Sequence, residues 1–233
     1  MVEKINSNII YMNLININIG CGSRLVKSYI NFDNSFSVKL SKMPSFFIKM
    51  MYLLKILAPQ HYDFIKFLKK NSVKFCDARY RIPMNDQTVD NVYSSHTLEH
   101  LRYHDADMFL IECYRVLKNG GGIRLVVPNL RLKIEDYNKS KDADDFFFNL
   151  GIFHDTHIKF NKFKNYIRNL LSDSVGHKHM YDENSLKKKL IKNKFKDVTI
   201  VQPGSTVLKN LGELDLFERS NIESKSLYIE ARK

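Results

Sequence analysis

The chain of 233 residues has no tryptophan, only three cysteines, five prolines and nine glycines. Cys21, Cys76 and Cys113 are widely spaced and contain no C-x-x-C pair, which excludes a disulfide framework and a cysteine-built zinc site and leaves reduced thiols. No window reaches the roughly 18 uncharged apolar residues that a membrane span needs, so no transmembrane segment is expected. The opening residues MVEKINSNII hold neither the apolar run nor the small-residue cleavage site of a secretory leader, and a cytoplasmic protein is expected. Acidic residues are the scarcer charge, 25 against 37 Lys and Arg, which leaves a formal net charge of +12. That balance suits an anionic partner, yet Lys and Asn are spread along the whole chain, so charge alone selects none.

What the chain does have is apolar material, 44% of its residues, enough for one sizeable core and a single domain over 1–233. Short apolar, β-branched runs recur at 14–19, 29–32, 72–76, 89–95, 123–127, 197–201 and 226–232, between helical patterns. This alternation predicts an α/β fold, a Rossmann-like, doubly wound, seven-stranded and mostly parallel sheet. The clearest helices are expected over 104–118, with Met108, Ile111, Cys113, Val116 and Leu117 on one face, and over 183–194, with Leu186, Leu190 and Ile191. Gly120-Gly121-Gly122 is expected to stop the first and Asp182 to cap the second. Two aromatic-rich helical stretches interrupt the alternation, at about 35–70 and 130–176; both read as insertions at the ligand end of the sheet, as packing helices, a lid over a pocket or a membrane-surface helix.

The stretch LININIGCGSRLVKSYINFD runs from an apolar strand through Gly20-Cys21-Gly22 and reaches Asp33 eleven residues after Gly22. Glycines after a first strand let backbone approach a ligand, and an acid closing the second strand can accept both hydrogen bonds of a ribose diol. The spacing therefore points to a nucleoside. A dinucleotide fingerprint would need a third glycine where Leu25 stands and an acid about 20 residues on, and a phosphate loop would need Gly-Lys where Gly22-Ser23 stands. At the third strand's end, Asp77 could accept from an adenine amino group and the Ala78 N–H could donate to a ring nitrogen. YSSHTLEHL at 93–101, ECYRVLKNGGGIRLVVPNL at 112–130 and GHKHMYD at 176–182 follow.

This ordered set resembles the class I S-adenosylmethionine-dependent methyltransferases, in particular their small type 11-like group, over 14–33 and 72–200. The resemblance implies S-adenosyl-L-methionine as cofactor. It places Gly20 and Gly22 at the methionine part, Asp33 at the ribose, and Asp77 with Ala78 at the adenine; Cys21, Ser95 and His96 are further candidate cofactor contacts. Ser28 stands where the family carries glycine, and Asn16 and Asn18 interrupt a strand that should be apolar on both faces and call for buried partners.

A sulfonium methyl is already activated, so the protein has to align acceptor and methyl and remove a proton if the acceptor is a hydroxyl. His100 is the candidate base, with His96 lining the methionine site; both histidines also read as packing or capping residues. HTLEH matches the H-x-x-E-H zinc-peptidase pattern, but that pattern needs a helix and this one follows a strand. No metal site is expected, although His96, Glu99 and His100 stay open as divalent-ion ligands. His177 and Tyr181 are candidate acceptor contacts. Ser-Ser-His-Thr after strand four is not the Pro-Pro-aromatic of base-amine methylases, so no specific nucleic acid is expected as partner and a small-molecule or glycan acceptor is. The alternatives are a non-enzymatic nucleic-acid binder or an RNA methyltransferase using KFNKFKNYIR (159–168) and KKKLIKNKFK (187–196), runs that otherwise read as solvated helix faces.

Overall fold

A computed structural model describes residues 14–152, 176–216 and 225–233. The first part of the chain supplies β1 (Asn16–Ile19), β2 (Ile30–Asp33), β3 (Val73–Phe75), β4 (Val89–Ser95) and β5 (Leu117–Pro128), and β6 (Lys196–Val201) and β7 (Ser226–Arg232) complete the sheet. They form one seven-stranded sheet in the order β3-β2-β1-β4-β5-β7-β6. All neighbours among β1 to β5 are parallel, and β7 runs antiparallel to both β5 and β6. This is the expected doubly wound, mostly parallel sheet. The strand order reverses direction between β1 and β4, the place where open α/β sheets bind ligands outside their carboxyl ends.

The central strands β1 and β4 are buried on both faces, as expected of a sheet covered by helices on either side. Ile17, Ile19, Phe32, Val92, Ile123, Leu125 and Ile229 are buried in one core with Phe109, Leu110 and Cys113. The asparagines of β1 do find partners. Asn18 donates to Asn31 Oδ1 at 2.9 Å and to the Arg24 carbonyl at 3.0 Å, and Asn16 donates to the Asn210 carbonyl at 2.9 Å while accepting from Asn91. Buried amides so satisfied stitch β1 to its neighbours and to the loops behind them.

Among the described residues the helices are α1 (Phe36–Leu40), α2 (Ser45–Leu53), α3 (Pro59–Lys70), α4 (Tyr103–Val116), α5 (Leu130–Ser140), α6 (Ala143–Leu150) and α7 (Glu183–Lys192), with a 3-10 turn at Leu98–His100. α1 to α3 fill the first expected insertion and build a satellite core from Leu40, Ile48, Leu57 and Ile65. α5 and α6 occupy part of the second; KFNKFKNYIR lies outside the described residues. Asp182 caps α7 as expected, in a capping box with Ser185.

Three expectations need correction. α4 stops at Val116, before the triple glycine, and Gly120 to Gly122 belong to β5. There Gly121 and Gly122 are needed for closeness: a Cβ on Gly121 would meet the Asp90 carbonyl at 2.8 Å, and one on Gly122 the Leu208 side chain at 2.5 Å. The buried face of α4 is Ala106, Phe109, Leu110, Cys113 and Val116, whereas Met108 and Ile111 are exposed, as is Ile191 on α7. Lys189 of the KKKLIKNKFK run is also not solvated: it is buried against Asp107 at 2.9 Å. Among the described residues, no helix is long and apolar enough to cross a membrane.

Candidate active site

A cleft of about 530 Å³ opens where β1, β2 and β4 end. Gly20, Asp33, His96 and His100, spread over 80 positions of sequence, line it together. α3 adds His61 and Phe64, the part of the first insertion that shapes the cavity.

Backbone geometry sets the β1 turn. Gly20 and Gly22 have φ of +72° and +51°, a region that side-chain-bearing residues enter at a cost. Gly20 has a second reason to be glycine, since a Cβ there would lie 2.1 Å from Thr97 Oγ1. Gly22 faces open space and donates its N–H to Asp33 Oδ2 at 2.9 Å, while Ser35 N–H donates to Oδ1 at 2.8 Å. Two backbone donors thus fix the Asp33 carboxylate at the cleft wall with lone pairs left for a further donor.

Beyond β4 the chain turns sharply, and His96 takes φ of +50°, a strained conformation for a β-carbon-bearing residue and of the kind that collects at functional sites. Its Nε2 lies 3.2 Å from Ser226 Oγ and its Nδ1 3.2 Å from Glu99 Oε1, the latter in a geometry that makes no hydrogen bond. His100 Nδ1 lies 3.2 Å from the Gly176 carbonyl. Burial holds the His100 imidazole below its ordinary value against the opposing pull of Glu99, which keeps the ring neutral with a free lone pair.

A family model described as a methyltransferase domain, of type 11, matches residues 52–125. Over these residues the chain carries a methyltransferase domain. The methyltransferase is similar in structure to a possible histamine N-methyltransferase from Thermotoga maritima, at 13% identity and a TM-score of 0.48, covering 94% of this chain and 82% of that one. A methyltransferase from Archaeoglobus fulgidus gives 19% identity, a TM-score of 0.47 and coverage of 94% and 86%. One from Methanosarcina mazei gives 15%, 0.48, and coverage of 94% and 91%. No curated protein sequence matches the chain.

The other expected contacts of the methyltransferase divide. Asp77 is held by Arg79 through Nε at 2.8 Å and Nη2 at 2.5 Å, and it is Arg79 that lines the cleft. Burial would raise the Asp77 carboxyl, but these bonds outweigh it and hold it below the usual range. Ala78 is buried in the main core, and Ser95 is buried with its Oγ unpartnered. Cys21 is buried, its thiol pushed up to about 12 by burial and then by Asp33, so it is no nucleophile. His177 sits against His100, ring centroids 5.0 Å apart, but Tyr181 does not join them; it borders a second cleft with Tyr103 and Lys189. Sequence reasoning missed Arg79, Thr97 and Lys178 on the cleft wall. Arg79 had a signal, a cation two residues from a partly buried acid; the others had none.

Proposed function

We propose that the methyltransferase carries the methyl group to a hydroxyl of a small molecule or sugar. The observation that supports this most is the placement of the backbone-anchored Asp33 carboxylate and the neutral His100 ring on one cavity of about 530 Å³, within the usual range for small-molecule sites. The residues present fit the cofactor: an acid at the end of β2 with spare lone pairs for a ribose diol, beside a glycine turn with open space at Gly22. Bound there, S-adenosylmethionine supplies an already activated methyl group. Asp33 would hold the ribose, the Gly20 turn would admit the methionine part, and His96 would border it.

At the acceptor end, a hydroxyl has to lose its proton as it attacks, and His100 Nε2 is the lone pair available to take it. Lys178 on the wall would favour an acceptor with negative charge, the charge of Arg79 being offset by Asp77. The nucleic-acid reading is weakened by the fate of the basic run on α7: Lys189 and Lys192 are both spent on Asp107. Titration with S-adenosylhomocysteine tests the cofactor site. Saturating ligand should raise the melting temperature, because it binds only the native state, and no shift at millimolar ligand would overturn the assignment. Turnover with sugar and small hydroxyl acceptors, and none with RNA, is the outcome expected for the acceptor class.

A further inference from the structure

Glu99, in the 3-10 turn after β4, is completely buried, and neither carboxylate oxygen has a hydrogen-bond partner. A buried carboxylate left in that state is costly unless a cation or a proton joins it. Its surroundings are not apolar. His177 Nε2 lies 4.0 Å from Glu99 Oε1, and His100 packs edge-on against the His177 ring. The donor atoms of Glu99, His100 and His177 all lie within 4.8 Å of one another.

The tautomers of the two imidazoles follow from their other partners. A backbone carbonyl only accepts, so His177 Nδ1 must carry the hydrogen it gives to the Leu150 carbonyl at 2.6 Å, and His100 Nδ1 the one it gives to Gly176 at 3.2 Å. Both Nε2 atoms are left as lone pairs beside a carboxylate that makes no hydrogen bond and whose nearest nitrogen is His96 Nδ1, 3.2 Å from Oε1. Histidines that bind metals are oriented in this way, the second ring nitrogen tied to a carbonyl or carboxylate. The backbone bends to permit it. Gly151 and Gly176 have φ of +69° and +77°, and a Cβ on Gly151 would meet the His177 ring at 2.9 Å.

We propose that Glu99, His100 and His177 form a binding site for a divalent transition metal ion at the acceptor end of the cleft. Two imidazoles and one carboxylate suit Zn²⁺ before Mg²⁺ or Ca²⁺, which prefer all-oxygen sets. Bonds of roughly 2.0 to 2.2 Å would draw the three atoms together by less than about 1.5 Å and leave a fourth position for water or substrate. His100 lines the cleft, so the ion would border it. Its role in catalysis, which rests on the methyl-transfer reading above, would be to lower the pKa of a bound acceptor hydroxyl, whose proton leaves to His96 or to water. In the metal-loaded protein His100 is then a ligand and not the base.

The test uses the full chain stripped with chelator and titrated calorimetrically with ZnCl₂, with S-adenosylhomocysteine binding measured on the same samples. One Zn²⁺ per chain is expected, and both His177→Ala and Glu99→Gln should weaken it at least 100-fold, whereas the exposed His104→Ala should not. If His177→Ala does not fold, Glu99→Gln and the visible spectrum of the Co²⁺-loaded parent decide, a mixed nitrogen and oxygen ligand field being expected. No stoichiometric Zn²⁺ uptake by the parent, or equal uptake by parent and Glu99→Gln, overturns the site. Zn²⁺ uptake without nucleoside binding would keep the metal site and sink the cofactor reading; the reverse pattern would do the opposite.

Discussion

Asp33 uses one carboxylate for two tasks, holding the Gly22 and Ser35 amides and presenting its remaining lone pairs to the cleft. Asp33→Ala should therefore do more than abolish the S-adenosylhomocysteine melting shift. Losing an acceptor for two backbone donors should also lower stability by about 1 to 3 kcal/mol, readable in urea titration of the unliganded protein. A full ligand-induced shift in Asp33→Ala would place the ribose elsewhere. Gly20 makes a separate prediction. Gly20→Ala drives a methyl into Thr97 Oγ1 and Cγ2, at 2.1 and 2.8 Å, and should cost about 2 kcal/mol or more. Thr97→Ala in the same chain removes both atoms and should recover part of that loss, leaving roughly the 1 to 2 kcal/mol of the left-handed backbone. Additive single effects would show that the contact is relieved by movement of the loop.

At the scale of elements, α4 and α7 are clamped by one acid. Asp107 accepts from Lys189, Lys192 and Asn193, each at 2.9 Å. Burial would raise its carboxyl, but the bonds from Lys189, Asn193 and Lys192 override that and bring it down to about 2. With an unfolded value of about 3.9, the lowered group stabilises the fold above pH 4, and that contribution fades as the pH falls toward 2. Asp107→Asn should cost about 2 to 3 kcal/mol at pH 7 and almost nothing near pH 2, as measured by chemical denaturation at both pH values. The strands that frame this clamp were legible from their β-branched runs, and so was the Asp182 cap, because both are local patterns. The triple glycine misled because its cause is tertiary: only the Asp90 carbonyl and Leu208, distant in sequence, reveal why β5 needs it. The same holds for the site. Gly20 to Asp33 is a local signature, whereas the approach of His177 to His100 and Glu99 depends on two left-handed glycines and on carbonyls that no spacing rule anticipates.

Across the whole molecule, all three cysteines are buried, and burial first of all raises their thiols, Cys21 and Cys76 to about 12 and Cys113 well above its usual value. At pH 8 a thiol reagent should leave the native protein unlabelled and modify three cysteines only as fast as it opens, so labelling under increasing denaturant should trace the stability of the main core. Rapid labelling of one cysteine in native buffer would reveal a local opening around it. The sheet also imposes an order of events. β7, the last strand in the chain, lies between β5 and β6, so β6 has no place in the sheet until β7 has been made. Among the described strands 196–201 hydrogen-bonds to 226–232 alone, so whatever loosens β7 from β5 also detaches β6 from the rest of the sheet.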